Sequence, residues 1–201
     1  PHRTLEEALD GADIFLGLSA GGVLKGPWLT KMAERPLIFA LANPTPEILP
    51  EEARAVRPDA ILATGRTDYP NQVNNVLCFP FLFRGALDCG ATEINEAMKR
   101  ACVEAIADLA RARPSGIVRR AYGGQDLHFG PDYLIPKPFD PRLMEQVAPV
   151  VAAAAMASGV AARPIEDLGA YRQGLQNRVI RTGMTMKFVF DVARKAVKKL
   201  V

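Results

Sequence analysis

The stretch "PLIFALANPTPE", residues 36–47, decides how the rest of the chain is read. Six apolar residues, Leu37 to Ala42, are closed by an amide side chain and then by Pro44, Thr45 and Pro46. A run that short, bounded by proline at both ends and showing no polar alternation, predicts a strand buried on both faces. Its neighbours repeat the form. "IFLGLS" from Ile14 and "AILATG" from Ala60 are also short apolar runs, and one helix-like segment lies between each pair: "GPWLTKMAERP", with Pro27 near its start, and "ILPEEARAVRP". Strands that alternate with single helices predict a parallel sheet covered on both faces, half of a doubly wound α/β fold.

Around this centre the helix signals are local. "TLEEALDGAD" has Thr4 as a cap, Glu7 three residues on and Gly11 as a stop. Beyond Tyr69, "NQVNNVLCFPFLFRGALD" reads as a loop opening a helix. "TEINEAMKRACVEAIADLAR" reads as a second helix capped by Thr92, with Ile94, Met98, Ala101, Cys102, Ala105, Ile106 and Leu109 on one apolar face. "PSGIVRRAYGGQDLHFGPDYLIPKPF" is Gly/Pro-rich connection. Asp140 and Pro141 start a further helix that Gly159 stops, and "MKFVFDVARKAVKKL" forms a last amphipathic helix with Val189, Val192, Ala193, Ala196, Val197 and Leu200 on one face.

Composition bounds the function. A chain of 201 residues with 49% apolar residues supports a packed core, and 25 Lys+Arg against 22 Asp+Glu gives a formal charge of +3, too small and dispersed for a nucleic-acid or membrane surface. The longest apolar stretch, from Val147, is too short and Ala-rich to span a bilayer, and the first residues lack the order of a signal peptide. Cys78, Cys89 and Cys102 are odd in number and unlike a metal knuckle, so buried free thiols and a cytoplasmic location are expected. His2 and His128 read as solvated or packed side chains, and Arg66 and Asp68 as a loop ion pair.

In an open parallel sheet the ligand crevice lies beyond the carboxyl ends of the strands. Three strand ends therefore carry the candidate chemistry: "GLSAGG" from Gly17, "NPTPE" from Asn43 and "TGRTDYPNQVNN" from Thr64. Gly21 and Gly22 leave room for a close-approaching ligand and Ser19 adds a hydroxyl. Pro44 restricts Asn43, whose amide both donates and accepts. Asn74 and Asn75 fall at or near a helix start, where backbone N–H groups favour a carboxylate or phosphate. Each also has a structural reading: a glycine turn, an Asx turn and a helix cap. The set suits a small polar ligand and a neutral ring.

At these residues the sequence resembles the malic enzymes, in particular the bacterial type fused to a phosphotransacetylase-like domain. "FALANPTPEILPEEA", "ATGRTDYPNQVNNVLCFPFLFRGALD" and "ATEINEAMK" carry the resemblance, and "YLIPKPFDPRL" matches the closing segment of the unit. The resemblance implies oxidative decarboxylation of L-malate to pyruvate and CO2, with NADP or NAD as hydride acceptor and Mg2+ or Mn2+ as the metal. It implies that Asn43, Asn74 and Asn75 bind substrate, and that Gly17, Ser19, Ala20 and Gly21, together with Asn43 and Asn74, line the cofactor. The tyrosine and lysine for acid–base work, the acidic metal ligands and the glycine fingerprint of this family are not found here, so no catalytic residue and no metal ligand is expected in this chain. Residues 1–163 are expected to be the C-terminal part of the NAD(P)-binding domain, and 164–201 a helical connector toward a further domain. Such a piece of a homo-oligomer would be inactive alone. The alternatives are a non-catalytic oligomerisation or regulatory module and an unrelated Rossmann-like domain.

Overall fold

The computed structural model describes residues 3–113, 116 and 127–179. Two compact units emerge, residues 1–77 with 107–139, and 78–106 with 140–201.

The first unit is built on the three expected strands. β1 (Ile14–Gly17), β2 (Leu37–Ala40) and β3 (Ile61–Thr64) form an all-parallel sheet in the order β1-β2-β3. Ile14 pairs with Leu37 and Leu37 with Ile61, while Gly17, Ala40 and Thr64 form the row at the opposite end. Thr64 also bridges in parallel to Gln72, which extends that row by a rudimentary fourth position. α1 (Leu5–Ala8) precedes β1, and the Thr4 hydroxyl accepts from the Glu7 N–H as a cap should. Gly11 follows with φ 71°.

The segment between β1 and β2 is not an α-helix. It is a 3-10 helix, Gly26–Lys31, with Pro27 in its first turn. Its backbone is extended at both flanks, Lys25 and Met32, and the Met32 N–H bonds three residues back to the Leu29 carbonyl, as a 3-10 turn does. α2 (Pro50–Val56) connects β2 to β3.

Burial on both faces holds for β3 but not for β1. Phe15, Ile38, Ala40 and Leu62 pack with Leu24, Leu29, Ile48 and Ala53 in one core. On the other face of β1, Ile14 and Leu16 are each 58% exposed, and Leu18 beyond them is 73% exposed. The cause is topological. Two successive right-handed crossovers in the same direction place both connecting helices on one face, and the 3-10 helix and α2 do pack against each other.

A charged clamp closes the amino ends of the strands. The Arg57 guanidinium donates to the carbonyls of Leu29, Met32 and Ala33 at 2.7–3.1 Å and to both oxygens of Asp59. Asp59 in turn accepts from the Arg35 N–H, which holds Arg35 at φ 49°. The Arg57 hydrogen bonds hold the Asp59 carboxyl well below the usual carboxylate range. Because that pKa is depressed, the contribution is present at neutral pH and is lost only as pH falls through the folded-state value.

In the second unit α3 (Phe79–Asp88) packs on α5 (Arg142–Ala157). Leu82, Gly85 and Ala86 of α3 and Val147, Val151 and Ala155 of α5 are buried, and a Cβ on Gly85 would stand 2.4 Å from the Ala148 carbonyl oxygen, so glycine lets the two backbones approach closely. Gly159, at φ 75°, follows the end of α5 as expected, and the Asp140 carboxylate accepts from the Arg142 N–H at its start. α4 (Glu96–Arg111) buries the expected Met98, Cys102 and Leu109. Its cap is Asn95, whose Oδ1 accepts from Met98 N–H, and not Thr92, whose hydroxyl donates to the Val160 carbonyl. Residues 168–179 form a further helix. The expected last helix over 186–200, and His2, lie outside the described residues. Among the described residues no helix is long and apolar enough to cross a membrane.

All three cysteines are free thiols. Cys89 and Cys102 are buried as expected; Cys78 is half-buried, with its sulfur 3.6 Å from that of Cys102. Burial raises the Cys89 thiol and pushes Cys102 up to about 12.

Two outcomes follow. Arg57→Ala should lower unfolding stability by about 2–3 kcal/mol, because three carbonyls lose a charged donor; urea unfolding measures it. Thiol alkylation at pH 8 should modify Cys78 first and leave Cys102 protonated and slow, read by peptide mass spectrometry.

Candidate functional site

Because the strands are parallel and in register, Gly17, Ala40, Thr64 and Gln72 stand in one row, and the expected residues follow it directly. Gly17 closes β1 and is buried; Ser19, Ala20 and Gly21 come next and are exposed. Asn43 is exposed three residues after β2, and its peptide bond to Pro44 is cis. A Cβ on Gly65 would stand 2.6 Å from Asn43 Nδ2, so the Asn43 amide lies across the tip of β3 where only glycine leaves room. The Val73 N–H donates to the Thr64 carbonyl at 2.8 Å, carrying the chain to Asn74 and Asn75 beside that tip.

The three asparagines of "NQVNN" separate by burial. Asn71 is 1% exposed; its amide nitrogen donates to the carbonyls of Leu62 and Pro131, and its oxygen accepts from the Leu134 N–H. That residue holds the loop to β3. Asn74 is exposed and accepts from the Val76 N–H through Oδ1. Asn75 is exposed and its side chain has no hydrogen-bond partner among the described residues. The expected helix start is corrected here: Asn75–Leu77 is a single 3-10 turn, and α3 begins at Phe79. A dipole at Asn74 and Asn75 therefore carries no weight.

The residue that sequence reasoning missed is Glu47. It is fully buried, and each carboxylate oxygen serves a different strand tip. Oε1 accepts from Ser19 N–H at 2.9 Å and faces the Ser19 hydroxyl at 3.5 Å; Oε2 accepts from Ala42 N–H at 3.1 Å. Its backbone and that of Pro46 bind the same glycine loop, since Leu24 N–H donates to the Glu47 carbonyl and Gly22 N–H to the Pro46 carbonyl. Gly17 and Gly21 owe their identity to this contact as well. A Cβ would come within 2.5 Å of Glu47 Cδ at the first and 2.8 Å of Thr45 Cβ at the second.

Beyond the β3 tip, Arg66 forms the expected pair with Asp68, at 2.6 and 2.9 Å, and stacks over Tyr69. Tyr69 donates its hydroxyl to Glu51, which raises the phenol's pKa; the Glu51 carboxyl is lowered first by its own backbone N–H and then by this hydroxyl. Residues 67–70 line a cleft of about 590 Å³ with Arg54, His128, Asp132 and Lys137. Arg54 pairs with Asp132, and burial lowers the Lys137 amine, which donates to the Pro70 carbonyl. Among the described residues no three carboxylate, imidazole or thiol groups come together as metal ligands.

A parallel sheet with uncharged hydrogen-bonding groups along its carboxyl edge defines a Rossmann-like α/β domain. A family model described as the malic enzyme NAD binding domain matches residues 4–118, and the chain belongs to that family. The NAD-dependent malic enzyme of Rhizobium meliloti is 62% identical over 200 residues, 100% of this chain and 26% of the relative. The NADP-dependent malic enzyme of Salmonella typhimurium is 63% identical over 199 residues, 99% of this chain and 26% of that one. The crystal structure of Entamoeba histolytica malic enzyme superposes with a TM-score of 0.78 at 32% identity, over 98% of this chain and 38% of the other. The chain thus spans about a quarter of the length of the curated relatives it matches.

The division of the asparagines can be checked by substitution. Asn71→Asp should cost about 2–4 kcal/mol, since a carboxylate would face two carbonyl oxygens in a buried place. Asn75→Asp should change stability by less than about 0.5 kcal/mol. Thermal unfolding of the two variants provides the measurement.

Proposed function

We propose that this chain forms the substrate-facing and cofactor-facing part of a malic enzyme that oxidises L-malate and releases pyruvate and CO2. The observation that supports the proposal is the row of strand tips, Gly17, Ala40, Thr64 and Gln72, from which the segments bearing Ser19, Asn43 and Asn75 leave in a chain of this family.

The donor set fits a nicotinamide dinucleotide. Asn43 and Asn74 offer amides that match a carboxamide, and the exposed backbone of Ala20 and Gly21 lies beside Gly17 and Ser19 for close approach. Hydride acceptance is the chemistry the dinucleotide supplies when bound. The chain's own residues bind and orient. Asn43, Asn74 and Asn75 would hold a hydroxy-acid by its carboxylate and hydroxyl, using neutral donors. A neutral amide fixes a carboxylate without the strong electrostatic hold of a second cation, which would oppose loss of CO2. The described residues supply no ligand set for Mg2+ or Mn2+, so no step is assigned to a metal here.

NAD and NADP both stand as the cofactor, since relatives named for each are matched at 62% and 63% identity. The fused architecture belongs to the same proposal. The chain makes up 26% of the two bacterial relatives but 38% of the Entamoeba enzyme, so those relatives are about half as long again. In this reading residues 1–163 are the C-terminal part of the NAD(P)-binding domain and 164–201 a helical connector to a further domain. A cytoplasmic homo-oligomer completes the reading: the thiols are free, and exposed Ile14, Leu16 and Leu18 support cover by further polypeptide. A non-catalytic assembly module has no observation in its favour, since the family match falls on the cofactor domain.

The test is a graft. Placing this chain in the matching segment of the Salmonella typhimurium enzyme should give a protein that forms pyruvate from L-malate, while the chain alone forms none. In the graft, Asn43→Ala or Asn75→Ala should lower kcat/KM about 100-fold, or about 2.7 kcal/mol of transition-state binding. A folded graft that binds dinucleotide but yields no pyruvate overturns the proposal.

A further inference from the structure

The mechanism outlined above uses the exposed tips and leaves unexplained why a fully buried carboxylate stands directly behind them. Glu47 follows the two prolines of "NPTPE" and is 0% exposed. A carboxylate in such a place is retained only when donors surround it. The donors here come from two different loops and go to two different oxygens: Ser19 N–H to Oε1 and Ala42 N–H to Oε2. Ala42 immediately precedes Asn43, and Ser19 lies in the glycine loop.

We infer that Glu47 is a positioning residue whose two oxygens fix the spacing between the Ser19 loop and the Asn43 loop. The inference deepens the proposed function, because these loops are the ones assigned to cofactor and substrate. Two backbone N–H groups, one on each loop, need two acceptor oxygens in one plane, and only a carboxylate provides them. The amide of glutamine has one acceptor and would present its NH2 to the other N–H, so one loop must let go. A shorter aspartate would not reach both. Gly17 is the complement of this device: its bare Cα admits the carboxylate, whose Cδ and Oε1 would stand 2.5 and 2.7 Å from any Cβ. The Pro46 and Glu47 carbonyls hold the same loop further on, at Gly22 and Leu24, so loosening at Glu47 should release the Ser19 end and leave the far end attached.

The experiment compares the graft described above with its Glu47→Gln variant by amide hydrogen exchange and by titration with NAD+ and NADP+. Protection at Ser19 or Ala42 should fall at least about tenfold while the amides of Ile38 and Leu62 keep theirs. The dissociation constant for the dinucleotide should rise about tenfold or more. If protection falls equally throughout the sheet, Glu47 is a general core residue and the inference is overturned; unchanged protection at both amides overturns it equally. If local protection falls but dinucleotide affinity holds, the link to binding is refuted. Should the unmodified graft bind neither dinucleotide, the proposed function fails, and the exchange pattern still decides whether Glu47 ties the two loops. Gly17→Ala is the second variant, for use if Glu47→Gln does not fold. Its added methyl displaces the carboxylate from behind and should strip protection from the same two amides.

Discussion

The in-register parallel pairing of three four-residue strands is the constraint on which the rest of this chain depends. In a parallel ladder every strand ends at the same edge, so a single row, Gly17, Ala40 and Thr64, sets where all the following loops begin. An antiparallel arrangement of the same segments would have sent the middle loop to the opposite edge. The bridge from Thr64 to Gln72 brings a fourth loop to that line without a fourth crossover. The candidate chemistry is therefore a consequence of topology before it is a matter of side chains.

Short parallel strands bury little surface, and this sheet secures its two ends with charged side chains turned inward. At the amino ends Arg57 gathers three carbonyls of the segment before β2 and is itself neutralised by Asp59. At the carboxyl ends Glu47 gathers N–H groups of two loops. The pairing of charge with backbone polarity is complementary. The cation meets carbonyls left over where chain enters the sheet, and the anion meets N–H groups left over where chain leaves it. Each would be costly if its partners were removed, and each fixes loop geometry that apolar packing alone would leave loose.

Much of this was legible in the sequence, and the rest was hidden for identifiable reasons. The strands, the Thr4 cap, the Gly159 stop, the buried face of α4 and the Arg66 and Asp68 pair rest on local signals of period, capping and proximity, which a chain carries in its own order. Glu47 closes the strand-end stretch "NPTPE", where no local signal gives it a partner; only the fold brings Ser19, twenty-eight residues earlier, onto it. Asn71, Asn74 and Asn75 carry the same side chain within five positions, and their separation into staple, cap and exposed amide depends on where Leu62, Pro131 and Leu134 lie. The exposed face of β1 follows from crossover direction, which an apolar run does not encode. Gly21 reads as room for a ligand, yet Gly17 and Gly21 first make room for Glu47 and Thr45.

These observations together explain how a carboxyl edge can contain a glutamate and still suit an anionic ligand. On the proposed function, a Glu47 at the surface would repel a dicarboxylate from these same tips. Turned inward, it has both oxygens occupied by Ser19 and Ala42, and the exposed residues that follow the tips, Ser19, Asn43, Asn74 and Asn75, carry no charge. Neutral donors also tolerate a change in ligand charge during reaction better than a fixed cation does, because their attraction to a carboxylate is strong enough to orient it and weak enough to permit its loss. On the proposed function, the buried anion and the exposed amides are thus one arrangement: the first sets the spacing of the loops, and the second presents to malate and nicotinamide a surface without net charge.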